Sequence, residues 1–213
     1  MEASPKELPV QSRYKLLTGL VVPRPIAWVS SLLADGVANL APFSYFSIVG
    51  HAPMAISISV TGRKPDGTPK DTGQNLMPVD QGGRGEFVVN LVSEHQAEAM
   101  ARTARPMPTS ASEFELAGLD MAPARLVNAP RVAGALAALE CKTLSVIAVG
   151  SSRLIVAEVV HLAVNDTVID ARHRIDFSKL AAIGRMAGSQ YTRTTDRFEL
   201  ADEGYFPAAG MAR

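Results

Sequence analysis

Apolar and small polar residues alternate at period two along several short stretches of this chain, a pattern that predicts β-strands half covered by a core. Asp35-Gly36 and Gly150-Ser151-Ser152 are turn sequences that predict antiparallel hairpins between neighbouring stretches. The predicted strands, in chain order, are 26–33, 37–41 continuing into 42–49, 54–60, 86–92, 136–149 and 153–164.

Helical patterns are short and few. The sequence predicts a helix or turn over 12–17, a short helix after Asp71 or Thr72, a surface helix over 94–104 and a helical turn near 112–115. Gly and Pro mark 61–69 as a loop. Many strands at hairpin spacing with few long helices predict an antiparallel barrel or sandwich.

Composition narrows the class of protein. Hydrophobic residues make up 47% of the 213, and 21 basic residues balance 21 acidic ones, so no global charge predicts a nucleic acid or membrane partner. The single cysteine, Cys141, excludes an intrachain disulfide and is expected to be buried in a strand. No apolar run approaches the ~20 residues of a membrane helix, and the start lacks a signal-peptide pattern, so a cytoplasmic location is expected. The four histidines lack metal-ligand spacing, so no metal is expected.

The first candidate cluster runs from Trp28 to Ser31, through the Asp35-Gly36 turn, to the segment 39–47. Its small hydroxyls, one amide and free backbone groups border apolar residues, and a planar isoalloxazine ring needs such a slot. The alternative is a strand-turn-strand unit whose polar side chains satisfy local backbone groups. Residue chemistry alone favours that alternative.

The second cluster is Arg63 with Lys70-Asp71-Thr72 at a predicted helix start. A lysine, a hydroxyl and free N–H groups form a phosphate-binding arrangement, although a basic residue in such a loop is also often just solvated. The glycines at 82–85 do not form a Walker or dinucleotide motif, because the motif's lysine is absent.

Taken in order, these segments resemble the flavin reductase-like family. The matching segments between 24 and 164 are Arg24-Pro25-Ile26-Ala27-Trp28-Val29-Ser30-Ser31, Gly36, Asn39-Leu40-Ala41-Pro42-Phe43-Ser44-Tyr45-Phe46, Lys70-Asp71-Thr72, Gly85-Glu86-Phe87-Val88-Val89-Asn90, Leu139-Glu140-Cys141 and Glu158-Val159. The tail, Gly184-Arg185-Met186-Ala187-Gly188-Ser189-Gln190-Tyr191, resembles that of the family's longer members. Two interpretations stay open for Arg185 and Tyr191 in this tail. Their side chains either reach into an active site or pack at the surface or at a dimer interface.

The resemblance implies a mainly β fold, an antiparallel Greek-key split β-barrel with a few peripheral helices. The whole chain, 1–213, would be one FMN-binding domain with a core over about 20–165 and an extension over 166–213. The implied cofactor is FMN, held by Trp28, Ser30, Ser31, Asn39, Ala41, Pro42, Phe43, Ser44, Tyr45, Arg63, Lys70, Asp71 and Thr72.

The implied activity is that of an NAD(P)H-dependent flavin reductase, with NADH or NADPH giving a hydride to the flavin and no side chain required as acid or base. The implied assembly is a homodimer with FMN near the interface, and a monooxygenase or another redox protein as partner. Two other hypotheses stay open: an FMN-carrying electron-transfer protein of the flavoredoxin type, and a barrel that has lost its cofactor. Lys70 and Thr72 argue against the last.

Two departures from the family pattern bear on these expectations. Shorter reductases often carry a histidine in the hairpin where this chain has Ser152, and that histidine lies near the nicotinamide. Its absence weakens the expectation of NAD(P)H as donor. The insertion over 64–69 lengthens the loop and moves Arg63 away from the predicted phosphate site.

Overall fold

The computed structural model describes residues 1–62, 64, 67–105 and 112–200. Its strands, in chain order, are β1 (Ala27–Leu32), β2 (Ala38–Phe43), β3 (Phe46–His51), β4 (Met54–Val60), β5 (Glu86–Leu91), β6 (Met121–Ala122), β7 (Arg131–Val132), β8 (Ala137–Val149), β9 (Ser152–Val164), β10 (Ile183–Arg185) and β11 (Tyr191–Arg193). Its α-helices are α1 (Val10–Leu20), α2 (Asp71–Asn75), α3 (Ala97–Arg102), α4 (Glu113–Ala117) and α5 (Phe177–Leu180).

One antiparallel sheet of seven strands dominates the fold, in the order β2-β1-β5-β8-β9-β4-β3. Val29 of β1 and Ile58 of β4 belong to one buried cluster although three strands separate β1 from β4 in the sheet. The sheet must therefore curl until its two halves meet around a common core. The edge strands β2 and β3 are not hydrogen-bonded neighbours in the described sheet, so the barrel is split there. The predicted split β-barrel is confirmed.

Alternation along β4 shows why the sequence folds this way. Ile56, Ile58 and Val60 are at most 4% exposed and face the core, while the serines between them face outward. The side chains of Ile56, Ile58 and Val60 point to the same face because side chains in a strand alternate with a period of two residues. The strand pairs with β3 on one side and β9 on the other.

Strand β1 is covered on both faces. Ala27 and Val29 face the barrel core, whereas Trp28 lies in a second cluster with Met100 of α3 and Phe114 of α4. Because helices pack outside this strand, nearly every residue of β1 is buried. Burial therefore continues along the strand, and no exposed polar face distinguishes one side of it from the other.

The predicted element 37–49 is two strands rather than one. The chain leaves β2 after Phe43, and β3 begins at Phe46 on the opposite edge of the sheet. Pro42 fits within β2 because this strand is at an edge and needs no donor on its outer side. The predicted helix at 12–17 is longer, spanning α1, and the predicted helix at 94–104 is helical only from Ala97 after a short 3-10 turn.

Candidate functional site

A cavity of about 230 Å³ opens where the chain passes from β2 to β3. Helix α1, the β2–β3 connection, the end of β4, the loop before α2 and the C-terminal hairpin β10–β11 all contribute to its wall. The residues that line it are Tyr14, Thr18, Arg24, Pro42, Phe43, Ser44, Tyr45, Ser59, Thr61, Lys70, Arg185, Met186 and Gly188.

The β2–β3 connection owes its position to both edge strands. Phe43 pairs with Ala27 at the end of β2 and is buried against the barrel core. Two residues later the carbonyl of Tyr45 accepts a hydrogen bond from the Ser59 N–H at 2.8 Å. The connection is therefore fixed at both ends, and it presents an apolar surface beside the hydroxyl of Ser44.

Arg24 is a buried cation in the cavity wall, only 7% exposed. Its guanidinium donates to the Thr18 carbonyl at 2.7 Å, to the Met186 carbonyl at 2.9 Å and to Ser44 Oγ at 3.3 Å. Each of these acceptors is neutral, and Arg24 forms no ion pair with a described residue. A buried charge without a counter-ion favours an anion nearby, because the low-dielectric surroundings screen it weakly.

Two further cations line the same cavity. Lys70 is exposed and its ammonium makes no hydrogen bond or ion pair within the described residues. Arg185 donates to the Gly188 carbonyl and stacks on the Tyr191 ring, 4.5 Å from its centroid. The described wall contains no carboxylate. Its surface is mostly polar and cationic, with Pro42 and Phe43 as an apolar part, and thus suits a ligand that carries an anionic group.

Five of the predicted site residues line the cavity: Pro42, Phe43, Ser44, Tyr45 and Lys70. Three others, Ser31, Asn39 and Thr72, form buried hydrogen bonds that also involve Asn75. Asn39 Nδ2 donates to Thr72 Oγ1 at 2.9 Å, and Asn75 Nδ2 donates to Ser31 Oγ at 3.0 Å. These pairs fasten α2 to β1 and β2, so Asn39, Ser31 and Thr72 fix the helix that follows Lys70.

Two further predicted residues, Trp28 and Ser30, do not line the cavity. Trp28 Nε1 donates to Thr103 Oγ1 at 2.9 Å, and Ser30 Oγ donates to the Pro130 carbonyl. Both point away from the barrel core because they alternate with Ala27 and Val29 along β1. They lie behind the cavity wall and contribute no side-chain atom to it.

Three remaining predicted residues have other surroundings. Ala41 packs against the barrel core, and Asp71 Oδ1 forms an ion pair with Lys64 Nζ at 2.7 Å. Neither lines the cavity. Arg63 lies outside the described residues.

Sequence reasoning missed most of the wall contributed by α1 and the tail. Arg24 was visible only as part of a motif between two prolines, and Ser59 as one polar residue of an alternating strand. Tyr14 and Thr18 gave no signal, and Met186 and Gly188 appeared only as part of the family-like tail, because α1 and the tail meet only in the folded chain. Arg185, for which two interpretations are open, lines the cavity.

A larger opening of about 530 Å³ lies elsewhere, beside the β1–β2 hairpin and the glycines at 82–85. Its cation, Arg84, already donates to the carbonyls of Leu33 and Ala34 at 2.9 Å. Glu86 adds negative charge to the same wall and accepts hydrogen bonds from Asn128. This opening therefore lacks the unpaired positive charge of the smaller cavity.

Comparison with known protein families identifies the family of this chain. The sequence model of the flavin reductase like domain matches residues 19–180, most of the chain and nearly all of the barrel. The chain belongs to this family.

Similarity to known proteins covers almost the whole chain. The flavin reductase-like protein is 42% identical to an uncharacterised protein of Deinococcus radiodurans, over 91% of this chain and 86% of that one. Component B of nitrilotriacetate monooxygenase from Bacillus cereus superposes with a TM-score of 0.87 at 36% identity, covering 94% of this chain and 98% of that chain. The 2-nitrobenzoate 2-nitroreductase of Pseudomonas fluorescens superposes with a TM-score of 0.85 at 33% identity, covering 99% and 100%.

The part of the chain that the structure describes was also compared with the requirements of a metal site, a reactive thiol and a membrane helix. No cluster of His, Cys, Asp and Glu side chains there has the arrangement of a metal site. Burial, followed by the charge of Glu140, raises the pKa of the Cys141 thiol far above its ordinary value, which keeps it protonated and unreactive. No helix among these residues is both long and apolar enough to cross a membrane.

Glu113 is a partly buried carboxylate close to the loop that carries Lys70. It accepts a hydrogen bond from the Leu40 N–H of edge strand β2 at 2.9 Å. Burial raises the pKa of Glu113 and outweighs the lowering by the Leu40 hydrogen bond, while the charge of Asp71 raises it further. The folded state therefore binds the proton more tightly than the unfolded chain does.

We expect Glu113→Gln to remove one pH-dependent part of the stability. With its pKa raised on folding, Glu113 favours the folded state below its ordinary pKa and loses that contribution as pH rises through the folded value. Urea denaturation of both proteins from pH 4 to pH 8 should show the variant gaining stability relative to the wild type as pH rises. A free energy of unfolding of the variant minus that of the wild type that stays constant or falls as pH rises would contradict the assignment.

Proposed function

We propose that this protein is an FMN-dependent oxidoreductase, acting as an NAD(P)H:flavin reductase, and that it binds FMN in the 230 Å³ cavity. The observation that carries the proposal is the buried guanidinium of Arg24, which has only neutral partners, in one wall with Lys70 and an apolar segment. FMN combines an apolar ring system with a phosphate, and this set of groups fits both parts. Membership of the flavin reductase-like family supports the same cofactor.

In this proposal Lys70 holds the phosphate, with the hydroxyl of Thr61 in the same wall. The segment Pro42–Tyr45 provides the surface for the ring, and Arg24 adds positive potential beside Ser44. Asn39 and Thr72 act indirectly by fixing α2. When bound, FMN supplies the redox chemistry by accepting a hydride, so the chain's own part is to bind, orient and exclude water.

The proposal includes a homodimer. Ile48 on edge strand β3 is 82% exposed, and Ile147 on the outer part of β8 is 50% exposed. Apolar side chains left this exposed on a sheet are typical of a surface covered by a second subunit. Sedimentation equilibrium should give twice the 22.6 kDa mass of one chain, and a monomer at micromolar concentration would contradict this part.

Reduction under anaerobic conditions tests the function. The purified protein should be yellow or become so with FMN, and mixing it with NADH or NADPH should bleach the flavin absorbance at 450 nm faster than for free FMN, on the order of a hundredfold or more because binding orients the two rings. Failure to bind FMN would overturn the proposal. Binding without accelerated bleaching by either nicotinamide would overturn the reductase part.

One observation favours a second candidate, an FMN-carrying electron-transfer protein reduced by a partner protein. Ser151, at the tip of the β8–β9 hairpin, lies in a small recess with Lys70 and Pro69 rather than beside the ring-facing segment 42–45. Neither it nor Ser152 supplies the imidazole expected beside a nicotinamide. Tightly retained FMN that only a reduced redox protein bleaches would support this candidate.

A further inference from the structure

A second, smaller cavity adjoins the first and shares part of its wall. It measures about 160 Å³, and Pro42, Phe43, Ser44 and Arg185 line both. The rest of its surface comes from the barrel, from α3 and from β11: Ile26, Met100, Ala104 and Tyr191. Apart from Ser44, its polar groups belong to the C-terminal hairpin.

The size and lining of this cavity limit what it can hold. An engineered apolar cavity of about 150 Å³ in another protein binds benzene, so 160 Å³ corresponds to one six-membered ring. Ile26, next to β1, and Met100 of α3 offer apolar contacts, and a flat ring buries apolar area well against such side chains. The cavity therefore favours a single ring over a longer or more polar ligand.

Arg185 places a cation at the edge of this cavity. Its guanidinium stacks on Tyr191 at 4.5 Å, which fixes the plane of the group, and it donates to the Gly188 carbonyl. A guanidinium has five N–H donors, and no ion pair with a described carboxylate occupies those that remain. The other arginine of the hairpin, Arg193, is paired with Glu94, Nε to Oε1 at 2.7 Å.

We propose that this cavity recognises a single-ring aromatic carboxylate, with the ring against Ile26 and Met100 and the carboxylate on Arg185. A planar guanidinium can donate two parallel hydrogen bonds to a carboxylate, which gives both affinity and orientation. Because the cavity shares the Pro42–Ser44 wall with the FMN cavity, the ligand would lie beside the flavin. The inference rests on the proposed function and names the class of its small-molecule partner.

Calorimetric titration of the FMN-loaded protein with benzoate and benzamide tests the proposal. The two probes have the same ring and nearly the same shape, but only benzoate carries a charge. We expect benzoate to bind about tenfold to a hundredfold more tightly, as a charge-assisted hydrogen bond predicts. Arg185→Gln should abolish this preference, and Arg185→Lys should retain part of it because the charge remains. Arg193→Gln, the matched control on the same hairpin, should keep the wild-type preference.

Three results would overturn the proposal: no saturable binding of benzoate, equal or tighter binding of benzamide, or an unchanged preference in Arg185→Gln. Tighter benzamide binding would indicate a neutral carboxamide ring instead. Circular dichroism of each variant checks folding, and Arg185→Lys keeps the test valid if Arg185→Gln does not fold. FMN titration of the same samples separates the claims: FMN binding without discrimination overturns only this inference, whereas absence of FMN binding overturns the proposed function.

Discussion

Replacing Arg24 with methionine is expected to lower the free energy of unfolding by about 3 kcal/mol, because hydrogen bonds to a buried charged group are strong and their acceptors would be left unsatisfied. The guanidinium joins the Thr18 carbonyl of α1 to the Met186 carbonyl of the tail, 162 residues away from Arg24 in sequence. Methionine retains much of the volume but none of the donors, so α1 and the C-terminal hairpin would lose their common attachment. Urea denaturation followed by circular dichroism measures this loss.

Two comparisons isolate the effect. Arg24→Lys retains the charge, but a lysine lacks the fork that reaches several acceptors, so it should recover only part of the loss. Arg13→Met removes an exposed arginine that donates to the Leu8 carbonyl near the start of α1, and it should change stability by less than about 0.5 kcal/mol. Equal effects of Arg13→Met and Arg24→Met would contradict the structural role of Arg24.

Replacing Lys70 with alanine is expected to weaken FMN binding by about tenfold to a hundredfold, the range for loss of one charge-assisted contact to phosphate. Lys70 is exposed and forms no hydrogen bond or ion pair within the described residues, so its removal should leave the fold intact. Riboflavin lacks the phosphate, and its affinity should not change. Quenching of flavin fluorescence measures both dissociation constants.

Lys179→Ala is the matched control for this experiment. Lys179 of α5 is also an exposed lysine, but it pairs with Asp176, which caps this helix, and it lies outside the cavity. It should alter neither dissociation constant by more than about twofold, given the small effect of surface charges. A Lys70→Ala protein that binds FMN as tightly as the wild type would rule out Lys70 as the phosphate ligand.

The individual strands were predictable because the hydrophobic alternation lies within single segments such as 54–60 and 153–164. The order of the strands in the sheet was not predictable from such segments. β5 lies between β1 and β8, and that pairing depends on contacts far apart in the chain that no single segment records. The predicted barrel therefore came from resemblance to a family and not from alternation alone.

The candidate site was predictable where one segment forms it and unpredictable where several segments meet. Pro42–Tyr45 and Lys70, each part of a local motif that predicted cofactor binding, do line the cavity. Trp28 and Ser30 were predicted from the same motif but lie behind the cavity wall, since β1 is buried on both faces and the sequence does not say which face meets the cavity. The contribution of Arg24 depends on carbonyls from α1 and the tail.

A crystal structure of the protein grown with FMN tests the central claim most directly. The account predicts electron density for the flavin in the 230 Å³ cavity, with the phosphate within hydrogen-bonding distance of Lys70 Nζ and the ring along Pro42–Tyr45. Density for FMN in the larger opening beside Arg84, or a cavity that stays free of FMN at saturating concentration, would contradict it.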